Sequence, residues 1–129
     1  MSDKFTVEII SPESSIIKLD TSEVIIPSYE GEIGILKDHI SLITFLRPGI
    51  IKIADNHPRQ FFVEEGIVEF VANNLLILSS TTKELSNFDR GSISDLIKEA
   101  EKKIDNDKIS DREKYLLSHK IETLKNINQ

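Results

Sequence analysis

Acids in pairs, histidines and closely spaced glycines are the residues of this chain with the chemistry for catalysis or ligand binding. They gather most densely in EGEIGILKDHISLITFLRPGI, Glu30 to Ile50, which holds three of the five glycines and one of the three histidines. The GEIG pair lacks both the GxGxxG order of a dinucleotide loop and the lysine-bearing Walker pattern. Gly31 and Gly34 therefore read as a turn, a bulge or a close backbone approach beside a strand. His39, His57 and His119 lie in separate segments with no i, i+4 partner, and the chain has no cysteine, so no metal-ligand spacing is present. An Asp-His pair can orient a general base, but Asp38 and His39 are adjacent and rarely would face one another, and no GxSxG elbow supplies a nucleophile. Glu64 and Glu65, consecutive in an apparent strand, point to opposite faces. Glu30 and Glu32 share a face if extended, yet no low-dielectric pocket accompanies them. No set composes an active site, and His39 with its acidic neighbours reads as a surface contact.

The elements that must carry these residues change period near Phe88. Before it, short two-periodic runs rich in β-branched and aromatic residues alternate with turn formers: FTVEIIS, SSIIKLD, EVIIPSY, GIIKIAD, RQFFVEE, IVEFVA and NLLILSST. Phe5, Val7 and Ile9 share one face, and Asn73-Asn74 between two apolar runs reads as a tight hairpin. About ten short strands at this spacing predict a β-sandwich or flattened barrel over 1–86. Several strands are apolar on both faces, so the outer face needs a cover. Over 87–129 the spacing becomes helical. Ile93, Leu96, Ile97, Ala100 and Ile104 form one stripe. Ser110 to Glu113 is a capping box, and Leu117, Ile121 and Leu124, flanked by Leu116 and Ile127, form a second stripe. A two-helix C-terminal hairpin of this size cannot be stable alone and must dock on the sandwich, on another protein, or exchange between them. His119 falls on the polar side of its second helix.

Composition narrows the function classes. With 39% hydrophobic and 29% charged residues the chain is within the range of folded proteins. Met1 to Phe88 carries 13 acids against 7 basic residues, whereas Asp89 to Gln129 carries 9 of each. Such a surface repels phosphate backbones, which disfavours nucleic acid as a partner. The absence of cysteine suits a reducing compartment. MSDKFTVEII shows neither a signal peptide nor an import presequence, and no apolar run approaches a membrane span of ~20 residues. Membrane association is expected only through a partner.

EGEIGILKDHISLITFLRPGIIKI resembles the signature of the epsilon subunit of rotary F-type ATP synthases, called delta in mitochondria. The resemblance rests on Gly31, Glu32, Gly34, Ile35, His39, Leu42, Thr44, Pro48 and Gly49 at unbroken spacing. FTVEIISPE and EEGIVEFVANNLLILSSTT are similar to further family segments, and the helical hairpin falls where the family has one. The resemblance implies a non-catalytic rotor subunit, bound to the gamma subunit and standing on the c-subunit ring, that couples ring rotation to the catalytic head. It implies ring contact through Glu30, Gly31, Glu32, Ile33 and His39. It also implies a peripheral position on the cytoplasmic face of a bacterial inner membrane. On the second helix, Arg112, Lys114, Lys120 and Lys125 are available to touch the alpha and beta subunits of the head, where an extended hairpin would inhibit ATP hydrolysis. The alternative is a stand-alone β-sandwich module for another protein or a small ligand.

The chain departs from the family pattern in three places. Lys37-Asp38 replaces Pro-Gly before the histidine and Ser41 replaces the following Pro, which predicts a less rigid turn at His39. Some bacterial relatives bind ATP through an I/L-D-x-x-R-A motif. Here Phe88, Asp89, Ser92 and Ile93 keep the acid but lose the arginine that would fork a phosphate, so no nucleotide, metal or other cofactor is expected. The helices are also poor in alanine, which lowers their intrinsic helicity.

Overall fold

The computed structural model describes residues 3–127. Ten strands precede two helices: β1 (Phe5–Ile10), β2 (Ser15–Thr21), β3 (Glu23–Ser28), β4 (Gly31–Leu36), β5 (Leu42–Leu46), β6 (Gly49–Ile53), β7 (Arg59–Val63), β8 (Gly66–Val71), β9 (Asn74–Leu78), β10 (Lys83–Glu84), α1 (Arg90–Ile104) and α2 (Asp111–Ile127). The strands form one curled sheet in the order β10-β7-β6-β3-β5-β8-β9-β1-β2, with β4 paired to β3. The expected sandwich followed by a helical hairpin is thus the fold observed.

The curl closes on side chains of period two. Val7 and Ile9 of β1, Val24 and Ile26 of β3, Ile51 and Ile53 of β6, Val68 and Phe70 of β8, and Leu75 and Ile77 of β9 form one fully buried core. Every pairing is antiparallel except that of β1 with β9, where Thr6 lies beside Asn74 and Ile10 beside Leu78. Strand β9 sits between β8 and β1, so it joins the β1–β2 hairpin to the rest. Gly49 is required by packing, because a Cβ there would meet Pro27 Cβ at 2.5 Å, whereas a Cβ on Gly34 finds only Glu23 Oε2 at 4.0 Å. Close approach therefore explains Gly49 and not Gly34. The β8–β9 turn is centred on Ala72 (φ 49°) and Asn73 (φ 61°), one residue earlier than the sequence suggests, and β9 begins at Asn74.

Residues of β6 and β7 that point out of the sandwich receive the hairpin. Phe62, Ile93 and Leu124 are buried together, with Ile50, Leu85, Phe88, Leu96, Ile97 and Ile127 packed around them. Full burial of such side chains contributes roughly 1.5–3 kcal/mol each. Asp89 caps α1 by accepting from the Ser92 N–H at 2.7 Å and the Ser92 hydroxyl at 3.1 Å, and Ser110 Oγ accepts from the Glu113 N–H at 3.1 Å at the start of α2.

Candidate functional site

A rim, an uncovered face and a latched hairpin are the three features through which this molecule can meet partners. The rim begins at the β3–β4 turn. Ser28 Oγ donates to the Gly31 carbonyl at 2.7 Å and accepts from the Glu30 N–H at 3.2 Å. Gly31 stands at φ 121°, a conformation that L side chains rarely adopt, so this turn needs its glycine. Glu30 and Glu32 are exposed, and Glu32 reaches Lys52 of β6 at 4.0 Å. A pair this open contributes little to stability and leaves the carboxylate for another charge. Ile33, between them and the rest of β4, is partly buried and packs against the core.

His39 lies beyond the far end of β4. The extended strand from Glu32 to Leu36 alone puts roughly 13 Å between the two sites. Its backbone N–H donates to the Leu36 carbonyl at 3.1 Å, and its Nδ1 lies 2.7 Å from the Ile40 carbonyl. A carbonyl can only accept, so Nδ1 carries the proton and Nε2 is the nitrogen left to meet a partner. The ring stands edge-on to Phe70, with centroids 5.8 Å apart. The turn has constraints of its own in place of Pro-Gly. Asp38 takes the left-handed conformation itself (φ 67°) and is tied to Asn73 across the rim. Glu32 and His39 therefore form two contact points rather than one site.

The outer surface of β5, β8 and β9 is apolar and open. Ile43 is 71% exposed, Phe45 57%, Ile67 43% and Leu78 42%. In the ladders Phe45 pairs with Ile67 and Ile67 with Leu78, so the patch is continuous across three strands. It runs into a groove of about 920 Å³ whose other wall is Leu116, Leu117 and Lys120 of α2. Contiguous apolar surface rimmed by polar groups marks an interaction site.

The hairpin is held by polar contacts as well as by its apolar cluster. Tyr29 and Tyr115, the only two tyrosines, stack with centroids 5.9 Å apart. The Tyr115 hydroxyl donates to the Tyr29 carbonyl at 3.1 Å and accepts from Arg47 at 3.2 Å. Lys120 Nζ lies 2.7 Å from Glu64 Oε1, and Arg112 donates to the Tyr29 hydroxyl at 3.5 Å. Thus two of the four basic residues on α2 contact the sandwich, while Lys114 and Lys125 are exposed. Glu64 and Glu65 lie in the bend between β7 and β8 rather than within a strand. His119 is half-buried against Tyr115 at 4.5 Å, not on a polar face as its helical position suggests. Burial and then the charge of Arg47 push its pKa below the ordinary value, with Glu122 opposing. A second groove, of about 530 Å³, is lined by Glu32, Arg47, Lys52, His119, Glu122 and Asn126. It places the acid of the rim beside the end of the hairpin, a juxtaposition no local pattern shows.

The remnant of the nucleotide motif has structural work. Asp89 caps α1, Phe88 stands edge-on to Phe62 at 5.8 Å between centroids, and Ile93 is buried. Among the described residues, no group of three or more His, Cys, Asp or Glu is arranged to hold a metal ion, and no helix is long and apolar enough to cross a membrane.

An uncovered apolar face beside a rim of separate polar contacts defines a protein built into a larger assembly. Residues 4–84 match the family described as ATP synthase, Delta/Epsilon chain, beta-sandwich domain. The chain is 48% identical to the ATP synthase epsilon chain of Pelagibacter ubique, covering 99% of this chain and all of that one. It is 31% identical to the epsilon chain of Parvibaculum lavamentivorans, over 98% and 97% of the two chains. Its fold matches a chain in the Euglena gracilis mitochondrial ATP synthase OSCP/F1/c-ring structure with a TM-score of 0.84 at 18% identity, over 100% of this chain and 84% of that one. A chain in the Tetrahymena thermophila mitochondrial central stalk/c-ring structure gives 0.60 at 17%, over 96% of each. The chain belongs to the delta/epsilon chain family of ATP synthase, on its epsilon-chain side. Similarity over the whole length disfavours a free-standing binding module.

Proposed function

We propose that the chain is a non-catalytic rotor subunit. The sandwich, 1–86, binds the gamma subunit and stands on the c-subunit ring, and the hairpin, 87–129, is its movable unit. The observation that carries this reading is the open face of Ile43, Phe45, Ile67 and Leu78, which demands a cover the hairpin does not supply. Gamma is assigned to that face. The rim meets the ring through Glu30, Gly31, Glu32, Ile33 and His39, where charge complementarity fixes register more than it adds affinity. The subunit then lies on the cytoplasmic face of the bacterial inner membrane, held through the complex. In the docked hairpin Arg112 and Lys120 are occupied by Tyr29 and Glu64. Undocking frees them, with Lys114 and Lys125, to touch the alpha and beta subunits and restrain ATP hydrolysis.

Co-expression with gamma and the c ring tests the assembly. The chain is expected to co-purify, and to run alone when Phe45 and Ile67 are both changed to Ser. A wild-type chain that stays monomeric beside gamma would falsify the proposal. Truncation after residue 86 tests the restraint, and equal hydrolysis by heads carrying either form removes it.

A further inference from the structure

We infer that Asn73, in the β8–β9 turn, is a positioning residue for His39, so that the ring contact at one turn depends on the other. The inference rests on the ring-contact reading of His39 above. It begins with a conformational demand. Asp38 stands at φ 67°, where a residue with a Cβ is disfavoured, and neither glycine nor proline at 37 or 38 prepares the chain for it. Aspartate tolerates this conformation better than most residues, and a hold from outside the turn fixes it there.

Asn73 supplies the hold with both ends of its amide. Its Oδ1 accepts from the Asp38 N–H at 2.7 Å and its Nδ2 donates to Asp38 Oδ1 at 3.0 Å. A carboxylate at 73 would keep the acceptor, lose the donor and face another carboxylate. Asn73 is itself anchored, because its carbonyl accepts from the Thr6 N–H of β1 at 3.1 Å. A continuous path thus runs from β1 through Asn73 to Asp38 and on to the residue next to it, His39. There the ring is fixed by the Ile40 carbonyl and the edge of Phe70. Nε2 is left for a polar loop of the partner, and Ile40, 79% exposed beside it, offers an apolar contact. Preorganised contacts lose less on binding, so a turn held this way grips better than a free one.

The test uses the assembled complex and the full isolated chain. Asn73→Gly keeps the left-handed conformation and removes the amide. It should lower protons pumped per ATP hydrolysed several-fold, while thermal unfolding of the isolated chain stays near wild type. Asn73→Asp should lower the ratio further. Adding Asp38→Gly to Asn73→Gly should recover much of it, because glycine needs no outside hold. In the isolated chain the His39 ring resonances should shift with either single substitution, and the double substitution should shift them by less than the sum. In a His39→Ala background Asn73→Gly should change nothing further. An unchanged ratio in Asn73→Gly, or a loss that persists undiminished in His39→Ala, overturns the inference and leaves the ring contact standing. If His39→Ala itself leaves the ratio unchanged, the ring contact at His39 fails and the inference falls with it.

Discussion

The sandwich has two outer apolar faces, and only one is covered. On β6 and β7, Ile50 and Phe62 meet Ile93 and Leu124 of the hairpin, and Phe62 is 3% exposed. On β5, β8 and β9, Ile43, Phe45 and Ile67 stay largely open, with α2 forming only the far wall of the adjoining groove. The same residue types on the same sheet therefore do different work. The covered face stabilises the monomer, whereas the open one stores its hydrophobic free energy for another subunit. The covered face is also supplemented by polar contacts at Tyr29, Arg47, Tyr115 and Lys120, which make its docking specific and breakable.

Breaking the covered face should have the largest effect on the isolated chain. Phe62→Ala is expected to cost about 3–5 kcal/mol of hairpin docking, since it empties the centre of the smaller cluster. Hydrogen exchange should then rise in α1 and α2 while the β1–β9 ladder stays protected. Tyr115→Phe removes one hydroxyl that donates to Tyr29 and accepts from Arg47, and about 1 kcal/mol should be lost. Limited proteolysis at the exposed 105–110 loop is a convenient reading.

The pH dependence of docking is smaller and has a definite sign. His119 has a lowered pKa when docked, so the docked form binds fewer protons than the undocked one. Docking should be level above about pH 7, weaken as pH falls through about 6.5, and level again below the docked value. Tyr115 packs against His119, Arg47 and Glu122 are the charges that act on it, and Glu32 and Lys52 line the same groove. His119→Gln should flatten the profile between pH 5 and 7 in a hydrogen-exchange series. A profile unchanged by that substitution would assign the dependence to another group.

The open face should show the smallest effect on stability and a large one on assembly. Phe45→Ser with Ile67→Ser is expected to move unfolding by no more than roughly 0.5 kcal/mol per site, as exposed substitutions do. Gamma binding should fall at least about thirtyfold, the loss of ~2 kcal/mol typical of a buried hot spot. Calorimetry of the isolated chain and titration with gamma separate the two. Loss of stability equal to the loss of binding would show that the two faces do not differ in the way described.

Much of this architecture was legible in residue order because period two and period 3.6 are local signals. The core residues Val7, Ile9, Val68 and Phe70 follow from alternation, and α1 follows from Ile93 to Ala100. The turn at Ala72-Asn73 was misplaced by one residue because an alanine takes the left-handed conformation that asparagine favours. His119 was misread for a different reason. Helix α2 meets the sandwich through Leu124 and Ile127 of its apolar stripe and, off that stripe, through Tyr115 and Thr123 on the side that holds His119, and a single-stripe reading leaves out the second set. The Asp38–Asn73 tie and the Tyr29–Tyr115 stack join residues far apart in the chain, so no window of sequence contains them.

The parallel ladder between β1 and β9 has a consequence for biosynthesis. The first strand of the sandwich has its parallel neighbour at Asn74–Leu78, and β9 alone bridges it to β8. During synthesis the β1–β2 hairpin must therefore wait, unsutured, until those later residues leave the ribosome, after which the sandwich can close before either helix has fully emerged. A nascent chain stalled short of Leu78 would expose Phe5, Val7 and Ile9 to any chaperone at the exit, while one stalled well past Ser79 would already hide them.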